Sequence, residues 1–69
     1  MKLSDHLREG IRLAIYETRI SARQASLKAE FNENQVNRFL AGADMHMDRI
    51  ERLCRKGFGL SFNKVYGLK

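Results

Sequence analysis

The sequence predicts an all-α fold, a small four- to five-helix bundle, and three observations carry that prediction. Apolar residues recur at helical spacing, as in Leu3, Leu7, Ile11, Ala14 and Ile15, while strand-type alternation is scarce. Proline is absent, so no helix is broken from within by it. Two capping boxes, Ser21 with Gln24 and Asn32 with Gln35, mark closely spaced helix starts. At 69 residues the chain has room for one domain, 1–69, and its 43% hydrophobic content suffices for a modest core.

The first helix opens at Ser4, a good N-cap, with Asp5 at the positive end of the helix dipole. Its apolar stripe is widened on one side by Leu13, Tyr16 and Ile20, while Arg8, Glu9, Arg12, Glu17 and Arg19 lie mostly off it. Gly10 costs roughly 1 kcal/mol in a helix interior relative to alanine, which a close helix crossing would explain. The helix is expected to stop near Thr18 to Ile20. Ser21 then caps a second helix from Ala22 to about Glu30, with Ala25, Leu27 and Ala29 as its small or apolar positions. Phe31 points inward by its bulk, and Asn32 caps a third helix from Glu33 to about Ala41. Val36, Phe39 and Leu40 form the buried face of that helix, and Gly42 ends it as a residue able to take positive φ.

Asp44 or His46 caps a fourth helix from about Met47 to Lys56, with Met47, Ile50, Leu53 and Cys54 on its apolar face. Arg49, Arg52 and Lys56 fall on the opposite side, and Gly57 and Gly59 end the helix. The tail reads as a helical turn over 61–66 capped by Ser61, with an extended arm or a short strand as the alternatives. Its apolar residues, Phe58, Leu60, Phe62, Val65 and Tyr66, either close the monomer core or form a dimer element within 57–69.

Two capped helices joined by little more than Phe31 have the sequence form of a helix-turn-helix over about 21–42. The residues of this unit resemble the Cro/repressor (XRE-type) helix-turn-helix proteins of phages and bacteria, over about residues 1–62. Ser21 matches the residue that opens the family's second helix, and Ser26 matches its following small residue in size. Phe31 matches the apolar turn residue, Asn32 the cap of the recognition helix, and Val36 the Ile or Val four residues on. Asn37-Arg38 matches the polar-Arg pair, and Gly42 the closing glycine. Glu30 stands where the family has its turn glycine, and Ala22 where it usually has a glutamine that touches phosphate. The resemblance implies a lambda-repressor-like DNA-binding domain that acts as a transcriptional regulator, a repressor in the simplest case.

The third helix carries the strongest chemical signal. A helix fits the DNA major groove with its N-terminal residues at the base edges. Asn34 and Gln35 each offer the donor and acceptor that adenine needs, Arg38 can bind guanine bidentately, and Glu33 can accept from cytosine. With Asn37, these residues are the expected base contacts, and the alternative is a solvated polar face. Arg23, Lys28, Arg49 and Arg52 are the expected phosphate contacts. Arg8 and Arg12 are poorer candidates, because acidic neighbours compete for them.

The net charge of +5 suits a polyanionic partner. Residues 1–44 hold seven basic and six acidic groups, whereas residues 45–69 hold six and two. The surplus therefore lies in the later segment. Paired-carboxylate, nucleophile–base and glycine-rich phosphate motifs are absent, so no catalytic residue is expected. Met45-His46-Met47 offers soft ligands without recognised zinc spacing, so no metal or cofactor is expected. Cys54 reads as a small buried hydrophobe, and a single cysteine excludes an internal disulfide framework. With no signal peptide or long apolar run, the expected location is cytoplasmic, and the resemblance implies the nucleoid of a bacterial host. Double-stranded operator DNA is the expected partner, read by a homodimer on a pseudo-palindrome, with no membrane and no small-molecule ligand. A protein-interaction adaptor or inhibitor that reuses the helix-turn-helix without reading DNA is the alternative.

Overall fold

The computed structural model describes residues 3–67 and contains five helices and no strand among them. The Leu3 side chain and residues 68 and 69 of the tail lie outside the described part. Helix α1 spans Leu3–Thr18, α2 Ala22–Lys28, α3 Gln35–Leu40, α4 Met47–Arg52 and α5 Phe62–Gly67. The Cα radius of gyration is 10.3 Å. A packed chain of this length should have about 11 Å.

The core draws on every helix. Leu7, Ile11 and Ala14 come from α1, Ala25 from α2, Val36 and Phe39 from α3, Ile50 from α4 and Val65 from α5. Ala29, Leu53, Cys54 and Phe58 complete it from the connecting segments. Gly10 meets α5 so closely that a Cβ there would lie 2.6 Å from the Val65 carbonyl oxygen. The mid-helix glycine is thus explained by a close crossing, as its position suggested.

The buried face of α1 is the predicted stripe, but it is narrower than expected. Successive helical residues turn by about 100°, so the arc centred on Leu7, Ile11 and Ala14 points well away from Leu13 and Tyr16. Leu13 is 38% exposed and Tyr16 83%, which corrects their expected place beside the core stripe; Ile20 packs against the core. Arg8, expected off the stripe, is buried instead. Thr18 ends the helix where expected: its Oγ1 donates to the Ala14 carbonyl, and Arg19 takes a φ of +59°.

Helix α4 departs from the expected course. His46 sits at its N-cap without a side-chain capping bond, and Met47 is exposed rather than in the core. After Arg52 the chain widens into a π-turn over Leu53–Gly57, and it reverses at Gly59 with a φ of +71°. Cys54 is fully buried there, and its thiol pKa is pushed up to about 11 by burial and then by the nearby Glu51 carboxylate. The tail is helical, and Ser61 Oγ accepts the Lys64 N–H. Phe58 and Val65 are buried and Leu60 and Phe62 pack on the core, so the tail closes the monomer. Tyr66 is the member of that apolar set left exposed, at 42%, and its ring stacks near His6. No helix among the described residues is long and apolar enough to cross a membrane.

Candidate nucleic-acid interface

The segment from Ser21 to Ala43 presents α3 to solvent, and each of its ends is fixed by an identifiable contact. Ser21 Oγ accepts the Gln24 N–H at 3.1 Å, and Gln24 Oε1 accepts the Ser21 N–H at 3.0 Å. The predicted capping box of α2 is therefore complete. At the other end of α2, the Glu30 N–H donates to the Leu27 carbonyl and the Phe31 N–H to the Ser26 carbonyl. This is the Schellman pattern, which puts Glu30 in the left-handed region at φ +65°. Helix α2 ends at Lys28, two residues before the expected limit, and Leu27 is 52% exposed.

The second capping box does not form. Asn32 Oδ1 accepts the Asn34 N–H at 3.0 Å, two residues on, and the Asn32 carbonyl accepts the Gln35 N–H. The side chain closes a tight turn rather than capping a full helical turn, so α3 begins at Gln35 instead of Glu33. The α2 and α3 helices are joined internally by Ser26. Its Oγ donates to the Ala22 carbonyl at 2.8 Å and accepts the Val36 N–H at 3.1 Å, and the residue is fully buried. The hydroxyl thus satisfies an N–H at the start of α3 that would otherwise be buried without a partner.

The C-terminal end of α3 is held by α1. The Gly42 N–H donates to the Phe39 carbonyl and the Ala43 N–H to the Arg38 carbonyl, again the Schellman pattern, with Gly42 at φ +122°. Arg8 then reaches across. Its Nε donates to the Phe39 carbonyl at 2.6 Å, its Nη2 to the Ala43 carbonyl at 3.1 Å and its Nη1 to Asp5 at 3.0 Å. The guanidinium also lies 4.9 Å from the Phe39 ring centroid. Arg12 Nη2 donates to the Leu40 carbonyl at 3.0 Å. These arginines neutralise the negative helix end and satisfy carbonyls that the helix cannot. The expected acidic competition is seen at Arg8, which pairs with Asp5, and these carbonyl bonds engage both arginines further. Sequence reading missed this role, and it also missed the hydroxyl bridge of Ser26. The available signal was the placement of Arg8 beside Leu7 and Ile11, close to the core stripe.

Among the expected base contacts, Asn34 at the N-cap of α3 and Asn37 and Arg38 on its outer face are exposed together, opposite buried Val36 and Phe39. Gln35 is half-buried in the first turn. Glu33 is exposed but pairs with Arg23, with 3.0 Å between Nε and Oε2. A residue expected to read bases and one expected to grip phosphate therefore engage each other. Lys28 and Arg49 are exposed. Arg52 is half-buried, its guanidinium 4.6 Å from the Phe31 ring centroid. Its Nε is buried with no hydrogen-bond partner among the described residues. Lys56 lies 3.7 Å from Glu30. Comparison of the chain with family models, with curated proteins and with solved structures yields no match.

Proposed function

We propose that this chain is a helix-turn-helix DNA-binding protein, a transcriptional regulator that lays α3 in the major groove. The observation that carries the reading is the outer face of α3. Asn34 at the N-cap and Asn37 and Arg38 on the helix are exposed together, and the opposite face of this short helix is sealed in the core. Two amides and a guanidinium are the side chains suited to adenine and guanine edges. The helix is secured at its start by Ser26 and at its end by Arg8 and Arg12. A reading element must be held in a defined geometry, because base contacts act only over hydrogen-bond distances.

In this reading Asn34, Asn37 and Arg38 face the bases, with Gln35 at the margin. Lys28 and Arg49 meet phosphates, and Arg52 does so from its stacked position on Phe31. Arg23 and Glu33 reach DNA by giving up their own pair. That pair is exposed, and such contacts are worth at most about 1 kcal/mol, so exchanging it is inexpensive. Repression follows where the bound site overlaps a promoter, and a pseudo-palindromic operator would recruit two copies.

The test is in-vitro selection of bound DNA, followed by binding of Arg38→Ala and Asn34→Ala variants to the selected site. Each lost bidentate contact should weaken specific binding by ~1–3 kcal/mol while the far-ultraviolet circular dichroism stays helical. Affinity for mixed-sequence DNA should fall steeply with salt. If no DNA binding is found at low salt, the reading fails and the adaptor alternative takes its place.

A further inference from the structure

We propose that Arg52 and Lys56 form a phosphate-binding site beside the α2–α3 turn, and that the Glu30 carboxylate is its built-in competitor. The site rests on the DNA-binding reading for its natural ligand, a phosphodiester of the DNA backbone. Free phosphate shares the same chemistry.

Arg52 is the residue that calls for a ligand. It is half-buried, with its guanidinium carbon 4.6 Å from the Phe31 ring centroid. Its Nε is buried with no acceptor, and apart from the stack the guanidinium makes no hydrogen bond or ion pair among the described residues. A buried donor without an acceptor costs stability, so such groups are rare in a packed chain. Stacking also fixes the planar fork of donors in one orientation, which suits an oxyanion gripped through two oxygens. The Phe31 ring thus holds the cation without neutralising it.

Lys56 stands four residues on, one turn along the same side of the stretch that runs from α4 into the π-turn. Arg52 meets Phe31 and Lys56 meets Glu30, so the two cations flank consecutive residues of the α2–α3 turn. Arg49, exposed and one turn earlier, continues the line. Among the described residues, Glu30 is the carboxylate paired with these cations, with 3.7 Å between Lys56 Nζ and Glu30 Oε1. Both side chains are open to water, and a pair that long and that exposed is readily exchanged for another anion.

The backbone gains nothing from a glutamate at this position. Glu30 lies in the left-handed region at φ +65°, where a Cβ is disfavoured and glycine is not. What the residue adds is a carboxylate in front of Lys56. In the free chain that carboxylate stands where a phosphate oxygen would. When a phosphodiester arrives, Lys56 exchanges one anion for the other and Arg52 adds its fork. The freed carboxylate takes up a cation from solution, so the exchange weakens backbone binding and lowers its salt dependence. The base contacts on α3 are untouched, and sequence-specific contacts therefore carry a larger share of the affinity.

Two titrations of the full chain test this at physiological ionic strength, where distant surface charges are screened. In the first, nuclear magnetic resonance follows the addition of inorganic pyrophosphate. The Arg52 Nε–H and the backbone amides of Glu30 and Phe31 should shift and saturate, while the amides of α5 should not. In the second, binding to mixed-sequence DNA is compared for Glu30→Gln and Glu17→Gln. Each removes one exposed carboxylate, and only the first faces Lys56. Glu30→Gln should tighten both ligands about two- to fivefold. It should also steepen the salt slope on DNA by about one. Glu17→Gln should do neither, and in a Lys56→Gln background the Glu30→Gln gain should vanish. All three side chains are exposed, so the folded chain should persist in each variant. Pyrophosphate that leaves the Arg52 Nε–H unmoved overturns the inference. So does a Glu30→Gln gain that is absent, matched by Glu17→Gln or retained without Lys56. DNA binding with no such gain leaves the DNA reading standing and this one fallen. Saturable pyrophosphate binding with the gain but no DNA binding does the reverse, and makes free phosphate the source.

Discussion

Helices α2 and α3 end in the same hydrogen-bond pattern, built on different residues and supported in different ways. In α3 the left-handed position is Gly42, and Arg8 and Arg12 bind the last carbonyls from outside. In α2 the equivalent position is Glu30, which carries a Cβ in the left-handed region. Its external support is a 3.7 Å approach of Lys56 at the exposed surface. The difference shows where rigidity is concentrated. The end of the presented helix is locked to α1 by a buried cation, whereas the turn that leads into it tolerates strain. Glycine is thus a convenience for this motif and not a requirement, provided the two N–H bonds that close the turn can form.

The largest effect is expected from removing the lock. Arg8→Met leaves the Ala43 carbonyl and Asp5 without their cationic partner and should cost about 2–4 kcal/mol, read by urea unfolding. A cost below that of an ordinary surface change would show that the two ends are not differently held. Next comes Ser26→Ala, which severs the bridge between the two helices and leaves the Val36 N–H buried and unsatisfied. We expect a loss of about 1–3 kcal/mol, with amide exchange accelerated at Val36. Gly42→Ala places a Cβ at φ +122° and should cost about 1–2 kcal/mol in the same assay. The smallest effect has the opposite sign. Glu30→Gly relieves the left-handed Cβ and should stabilise by about 0.5–1 kcal/mol, seen as a higher melting temperature. If Glu30→Gly instead destabilised the chain as Gly42→Ala does, the Lys56 contact would matter more than the backbone.

Much of this architecture was legible in residue order. The Ser21–Gln24 box, the apolar stripe of α1 and the Ser61 cap all follow from local rules. Such features depend on neighbours within one helical turn. The misreadings share a cause. Leu13, Tyr16 and Met47 are apolar, and apolarity does not say on which side of a helix the core lies. How wide a face α1 buries depends on what packs against it, such as Val65 beside Gly10, far away in the chain. Asn32 had two local ways to satisfy a backbone N–H, and the turn it adopted is the nearer one.

The candidate interface divides in the same way. Its residue types, two amides and an arginine on one short helix, were present in the sequence as chemistry. Their presentation was not. Asn34, Asn37 and Arg38 face outward because Val36 and Phe39 face inward. Glu33 was withdrawn into a pair with Arg23 by the approach of α2 and α3. The sequence by itself determined that the chain is helical, where most helices begin, and which side chains could hydrogen-bond to a partner, because caps and periodicity are short-range. Only the tertiary structure decided that Arg8 is a buried latch, that Ser26 joins two helices, and that the tail belongs to the core. Each of these joins residues distant in the chain, and which distant groups meet depends on how the helices pack together.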